Sequence, residues 1–235
     1  PLGRLWEQDA ARAQRLVQTA GMQITSVHDP DAGRFLDVAD AGQRRAGIHA
    51  TMGYFRHCAE ADAKLVVVHP TSRGTFSSPQ ELAAVFRRSR ESLAELADLA
   101  GELGIRMAAE NLPAAGSCER PDGSVAGLLQ LIDGLGEHVG ICLDIGHTWM
   151  SGYDPVKEIH AAGAKLFTLH IHDVRDRKHD HYVPGEGELD FAAVLSALKA
   201  SDFSGTSVLE VGPHRGVPAD SLAALRELHR VWSSL

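Results

Sequence analysis

The feature that most constrains this chain is a repeated switch of hydrophobic period. Short, near-continuous apolar runs alternate with longer segments patterned at helical spacing; the runs are KLVVVH (64–69), IRMAAE (105–110), VGICLD (139–144), KLFTLHIH (165–172) and TSVLEV (206–211). A run without a polar face must be covered on both sides if it forms a strand. Parallel strands with helices packed on the sheet faces supply that cover. MQITSV (22–27), ending at His28, reads as one further, more polar strand. Helices are expected over about 5–20, 42–61, 78–104, 124–133, 154–162, 189–200 and 219–233. The third has the sharpest limits, with Ser78 as N-cap, Pro79 in the first position and Gly104 as the stop. No low-complexity linker interrupts the 235 residues, so the chain reads as one α/β domain over 1–235 with a parallel sheet.

The residues that end these strands carry the chemistry. In order they are His28, His69, Glu110, Asp144, His170 and Glu210, every one a potential metal ligand. A single histidine at a strand end is ordinarily a hydrogen-bonded core residue; six ligand types at six strand ends form a pattern. In a closed parallel barrel all the C-terminal ends meet on one face, where that fold builds its active sites. Glu110, Asp144, His170 and Glu210 would offer three carboxylates and one imidazole to a divalent ion such as Mn, Zn, Co or Mg.

Further candidates surround this set. His147 stands three residues past Asp144 in LDIGHTWM, either as a ligand or as an outer hydrogen-bonding group. The stretch LHIHDVRDRKHDHYVPGEGELD (169–190) holds His179 and His181 ahead of a Pro-Gly turn. These two could serve a second ion, bind substrate or lie in a solvated loop. Arg175 and Arg177 in the same stretch could meet an anionic group of a substrate or remain exposed charge. His49, His57, His138, His160 and His229 fall on helices or their ends and are expected to have surface or packing roles.

Composition removes several classes. A net charge of −8 opposes a nucleic-acid surface. Cys58, Cys118 and Cys142 are an odd, unpatterned set, read as free thiols in a reducing compartment, which makes the cytoplasm the expected location. No stretch is apolar enough to span a bilayer, and the first residues lack a signal-peptide layout. There is no phosphate-cradling glycine loop, no GxSxG and no CxxC.

VVVHP, AENLP, CLDIGHTWMSGYDP, HIHD with HDHYVPGEGELDF, and VLEVG together resemble the xylose-isomerase-like TIM-barrel superfamily, from about His28 to Glu210. That group includes sugar phosphate isomerases and epimerases and AP endonucleases of the endonuclease-four type. The resemblance implies a TIM (β/α) barrel and a one-metal site of Glu110, Asp144, His170 and Glu210, as in the ketose epimerases. Adding His28, His69, His147, His179 and His181 covers the multi-metal endonuclease pattern, with His179 where that family has an aspartate. The epimerases carry another glutamate soon after the first ligand, whereas here the segment reads NLPAAGSCE with Glu119 further along.

The resemblance implies a metal-dependent isomerase or epimerase of a sugar, keto-sugar or sugar phosphate, with Glu110 and Glu210 moving the proton beside the carbonyl. A phosphoester hydrolase with two or three ions, a lyase on a keto-sugar, and a non-catalytic sugar- or metal-binding protein are the alternatives. The expected partner is a small carbohydrate, not nucleic acid or membrane. Six strands are countable where the family has eight. The gap is expected to be filled by residues outside this sequence or by a neighbouring subunit, which would make a homo-oligomer.

Overall fold

The computed structural model describes residues 9–29, 35–72, 76, 78–114, 120–212 and 218–235. Cys118 and Glu119 lie outside them. The chain forms two compact units, Pro1–Glu110 with Leu131–Gly140, and Asn111–Gln130 with Ile141–Leu235.

In the first unit β1 (Val27–His28), β2 (Leu65–Val68) and β3 (Arg106–Glu110) run parallel in chain order. Val27 stands opposite Val66, and Val66 opposite Met107. The Met107 amide donates to the His138 carbonyl, just before β4 (Val139–Asp144), whose first two residues still belong to this unit. Helices α1 (Ala10–Thr19), α2 (Ala41–Glu60) and α3 (Pro79–Leu103) intervene between the strands or precede them. α3 has the limits its sequence predicts: the Ser78 hydroxyl accepts the Glu81 amide, and Gly104 closes the helix at φ 65°. All four residues of β2 are buried, and Phe55, Leu93 and Leu96 are fully enclosed on the helices that cover the sheet. MQITSV is shorter as a strand than its composition predicts. Val27 already faces the second residue of β2, so residues 22–25 overhang the start of the strand that β1 pairs with among the described residues, and Met22 is exposed.

Cys58 sits at the end of α2 with no exposed surface, and its thiol donates to the Ala63 carbonyl at 3.2 Å. Burial pushes the thiol up to about 12. The thiolate is the reactive form, so Cys58 is expected to resist iodoacetamide near neutral pH in the native chain and to react on unfolding. Peptide mass mapping reads this directly; rapid native labelling at Cys58 would show that α2 opens easily.

In the second unit the rest of β4, then β5 (Leu166–Ile171) and β8 (Thr206–Leu209), continue the parallel order. Asp144 stands opposite His170, and Ile171 opposite Leu209. The helices are α4 (Val125–Ile132), most of which falls in this unit, α5 (Ile145–Met150), α6 (Pro155–Ala162), α7 (Phe191–Ala200) and α8 (Pro218–Ser234). Two elements go beyond the sequence reading. α5 follows β4 without a loop because the Asp144 carboxylate caps it, accepting the His147 amide at 2.7 Å. The polar stretch after β5 is an antiparallel hairpin, β6 (Asp173–Arg175) and β7 (His179–Tyr182). Its charged strands show no apolar alternation, so periodicity could not reveal it. Among the described residues, no helix is long and apolar enough to cross a membrane.

Candidate metal centre

Glu110 ends β3 and is 1% exposed. Its Oε2 lies 2.8 Å from Nε2 of His28, which ends β1, and 3.2 Å from Nε2 of His69, which directly follows β2. The two rings meet edge to face with centroids 4.8 Å apart. His28 donates its Nδ1–H to the Asp29 carbonyl at 2.9 Å, which leaves the lone pair on Nε2. A ring lone pair and a carboxylate oxygen 2.8 Å apart repel unless a cation, a proton or a metal ion, is shared between them. The first unit thus fits a cation by its donor chemistry.

In the second unit Asp144 is fully buried and fixed from several sides. Asn111 brackets its backbone: the Asp144 amide donates to Asn111 Oδ1 at 2.7 Å, and Asn111 Nδ2 donates to the Asp144 carbonyl at 3.0 Å. His147 donates Nδ1–H to the Asn111 carbonyl at 3.0 Å, which puts its lone pair on Nε2, the tautomer a ligating imidazole adopts. His170 brings Nδ1 to 2.9 Å from Glu210 Oε2, the residue that follows β8.

His172 adds a group that the strand-end pattern does not predict. Its Nε2 lies 2.9 and 3.1 Å from the two carboxylate oxygens of Asp144; its Nδ1 lies 2.9 Å from the His181 amide and 3.3 Å from the Asp173 carbonyl, and the shorter contact makes it the acceptor of the His181 N–H. Burial disfavours a charge on the ring, while the facing Asp144 carboxylate favours a proton on Nε2. Because Nδ1 is an acceptor, the proton that Asp144 attracts sits on Nε2. One ring nitrogen from each of His147, His172 and His181 falls in a group spanning at most 4.8 Å. The signal for His172 was the HIH spacing itself, which repeats the imidazole two residues past His170.

The hairpin holds His181 in place. Asp173, fully buried, accepts the backbone amides of Val174, Gly185, Gly187 and Leu189. Gly185 of the PGEG turn has φ 93°, and a Cβ on Gly187 would stand 2.2 Å from the Val174 carbonyl oxygen. Each glycine is therefore required, one by backbone angle and one by close approach. His181 itself takes φ 59°, a left-handed conformation that a side chain rarely adopts. Beside it, Asp180 is held down at about 2, chiefly by the hydrogen bond from His181.

His179, paired with His181 in the sequence reading, is exposed, while His181 joins His147 and His172. Both arginines are committed to structural contacts. Arg175 stacks its guanidinium 4.1 Å from the Tyr182 ring and donates to the Glu186 carbonyl. Arg177 lies 3.9 Å over Trp149 and donates to its carbonyl. The Trp149 indole N–H in turn donates to Glu188 at 2.9 Å, which holds that carboxyl below its usual range.

A sequence model of the xylose isomerase-like TIM barrel family matches residues 3–231. Inosose isomerase of Bacillus licheniformis is 28% identical over 187 residues, covering 75% of this chain and 64% of that protein. The crystal structure of 3-keto-D-glucoside 4-epimerase from E. coli superposes with a TM-score of 0.83 at 23% identity, over 97% of this chain and 87% of that one. The IolI protein, crystallised with a zinc atom, superposes with a TM-score of 0.73 at 22% identity, over 99% and 81%. At such identities the superpositions show a shared fold. Against four other curated relatives the chain spans 28–67% of their length.

Proposed function

Because this chain belongs to the xylose isomerase-like TIM-barrel family, we propose that it is a divalent-metal-dependent isomerase or epimerase of a sugar, keto-sugar or sugar phosphate. One observation supports it most. Glu110, Asp144 and Glu210 each end or directly follow a parallel strand, and each carboxylate faces a histidine nitrogen at 2.8–2.9 Å. Glu110, Asp144, His170 and Glu210 are assigned as the ligands, within one domain over 1–235. Three carboxylates and an imidazole are a donor set for a divalent ion, zinc, manganese, cobalt or magnesium, with the imidazole favouring a transition ion.

A bound ion of this kind supplies polarisation of the substrate carbonyl, which lowers the cost of removing a proton from the neighbouring carbon. Glu110 and Glu210 then take up and return that proton, one carboxylate for each face of a carbon whose configuration changes. His28 and His69 orient Glu110 through the contacts at its Oε2, and His170 orients Glu210. His147 and His181 are placed to hydrogen-bond substrate hydroxyls or to hold a further ion. The relatives named as an inosose isomerase and a sugar epimerase act on small carbohydrates, and a chain of net charge −8 favours such a partner over nucleic acid.

Metal analysis of the purified chain, with a keto-sugar and phosphoester activity screen, tests this function. About one ion per chain and turnover of a keto-sugar are expected, abolished by a chelator and restored by zinc or manganese. Two or three ions with phosphoester cleavage would favour the hydrolase alternative, to which the three-imidazole group would then belong.

A further inference from the structure

We propose that His172 is a positioning residue that locks the Asp144 carboxylate and the His181 backbone into one arrangement, seated in a slot opened by the missing side chain of Gly146. This rests on Asp144 being a metal ligand, as proposed above. The slot is specific. A Cβ on Gly146 would lie 2.0 Å from Cε1 of His172, 2.5 Å from Nε2 and 2.6 Å from Nδ1, so the imidazole occupies the space that any other residue would fill. Gly146 lies in the first turn of α5, the helix that Asp144 caps, so the ring is wedged between the capping carboxylate and the helix it starts.

The two ring nitrogens do different work. Nε2 donates to Asp144, which is 0% exposed, and so fixes the plane of a carboxylate that must aim its oxygens. Nδ1 accepts the amide of His181, a residue held at φ 59°, and the two rings stack in parallel with centroids 4.3 Å apart. An apolar residue of similar size would fill the slot but leave a buried carboxylate and a strained amide each short of a partner. Groups that orient ligands in this way ordinarily contribute about 10–100-fold to metal affinity.

Two substitutions separate the nitrogens. His172→Asn keeps an acceptor near Nδ1 and loses the donor to Asp144. His172→Gln keeps a donor near Nε2 and loses the acceptor for His181. Zinc alone, titrated into the full chain by calorimetry, should bind His172→Asn about 10–100-fold more weakly than wild type, with His172→Gln restoring most of the affinity. Amide hydrogen exchange over 179–182 should show the reverse split, faster in His172→Gln and near wild type in His172→Asn. Gly146→Ala, which displaces the ring, should weaken zinc binding as His172→Asn does, and the double variant should be no weaker than either alone. A general packing role would move both readouts together in both variants and overturns the proposal. Wild-type zinc affinity in His172→Asn and Gly146→Ala also overturns it while leaving the metal centre intact. A wild-type chain that takes up no zinc, manganese, cobalt or magnesium overturns the metal centre itself, and this role with it.

Discussion

Replacing Glu210 with glutamine is expected to lower turnover of a keto-sugar by about 10²–10⁴-fold, the usual contribution of a positioned acid–base group. Glutamine keeps the size of the side chain and one oxygen able to ligate, but it cannot carry the proton. Substrate affinity should change far less than turnover, because the loss falls on the transition state. Metal content measured on the same preparation separates loss of the proton carrier from loss of the ion. Glu210 is partly exposed and held by His170 at 2.9 Å, so its exchange should leave the fold intact. Turnover within about threefold of wild type would remove Glu210 from the proposed chemistry.

Replacing Asp173 with alanine is expected to destabilise the chain by about 2–4 kcal/mol and to release the β6–β7 hairpin. The carboxylate accepts four backbone amides, and a hydrogen bond to a charged group contributes about 1.5–3 kcal/mol. The total falls below the simple sum because Gly185 and Gly187 are exposed and their amides can turn to water. Asp173→Asn, which keeps one oxygen acceptor, should lose less. Denaturant unfolding gives the energies, and hydrogen exchange over 173–189 shows whether the hairpin opens first. A loss below about 0.5 kcal/mol would mean that the turn is held by its own geometry and not by Asp173.

The parallel strands were legible because their burial is two-sided: LVVV and VGICLD have no polar face to hide, and β2 and β4 appear there with little change of limits. α3 was legible to the residue because Ser78, Pro79 and Gly104 each act locally. MQITSV was overextended because strand length depends on the neighbour, and β2 is too short to pair with residues before Ser26. The hairpin was hidden because its order comes from one buried carboxylate reaching amides up to sixteen residues away, a contact that no periodicity records. At the site, strand ends were visible as ligand types, but the sorting of the extra histidines was not. His172 rather than His179 joins His147 and His181, because the hairpin turns His181 inward and leaves His179 in solvent. That choice depends on the left-handed backbone at His181 and the space at Gly146, both set by tertiary contacts.

Proton exchange tests the proposed chemistry most directly. The metal-loaded chain, incubated with a keto-sugar that it turns over in deuterated water, is expected to place deuterium on the carbon beside the carbonyl. Incorporation should stop when the metal is chelated and should be largely lost in Glu210→Gln. Turnover of the sugar with no deuterium at that carbon, or metal-dependent phosphoester cleavage without sugar turnover, would contradict the assignment of Glu110 and Glu210 as the pair that moves the proton.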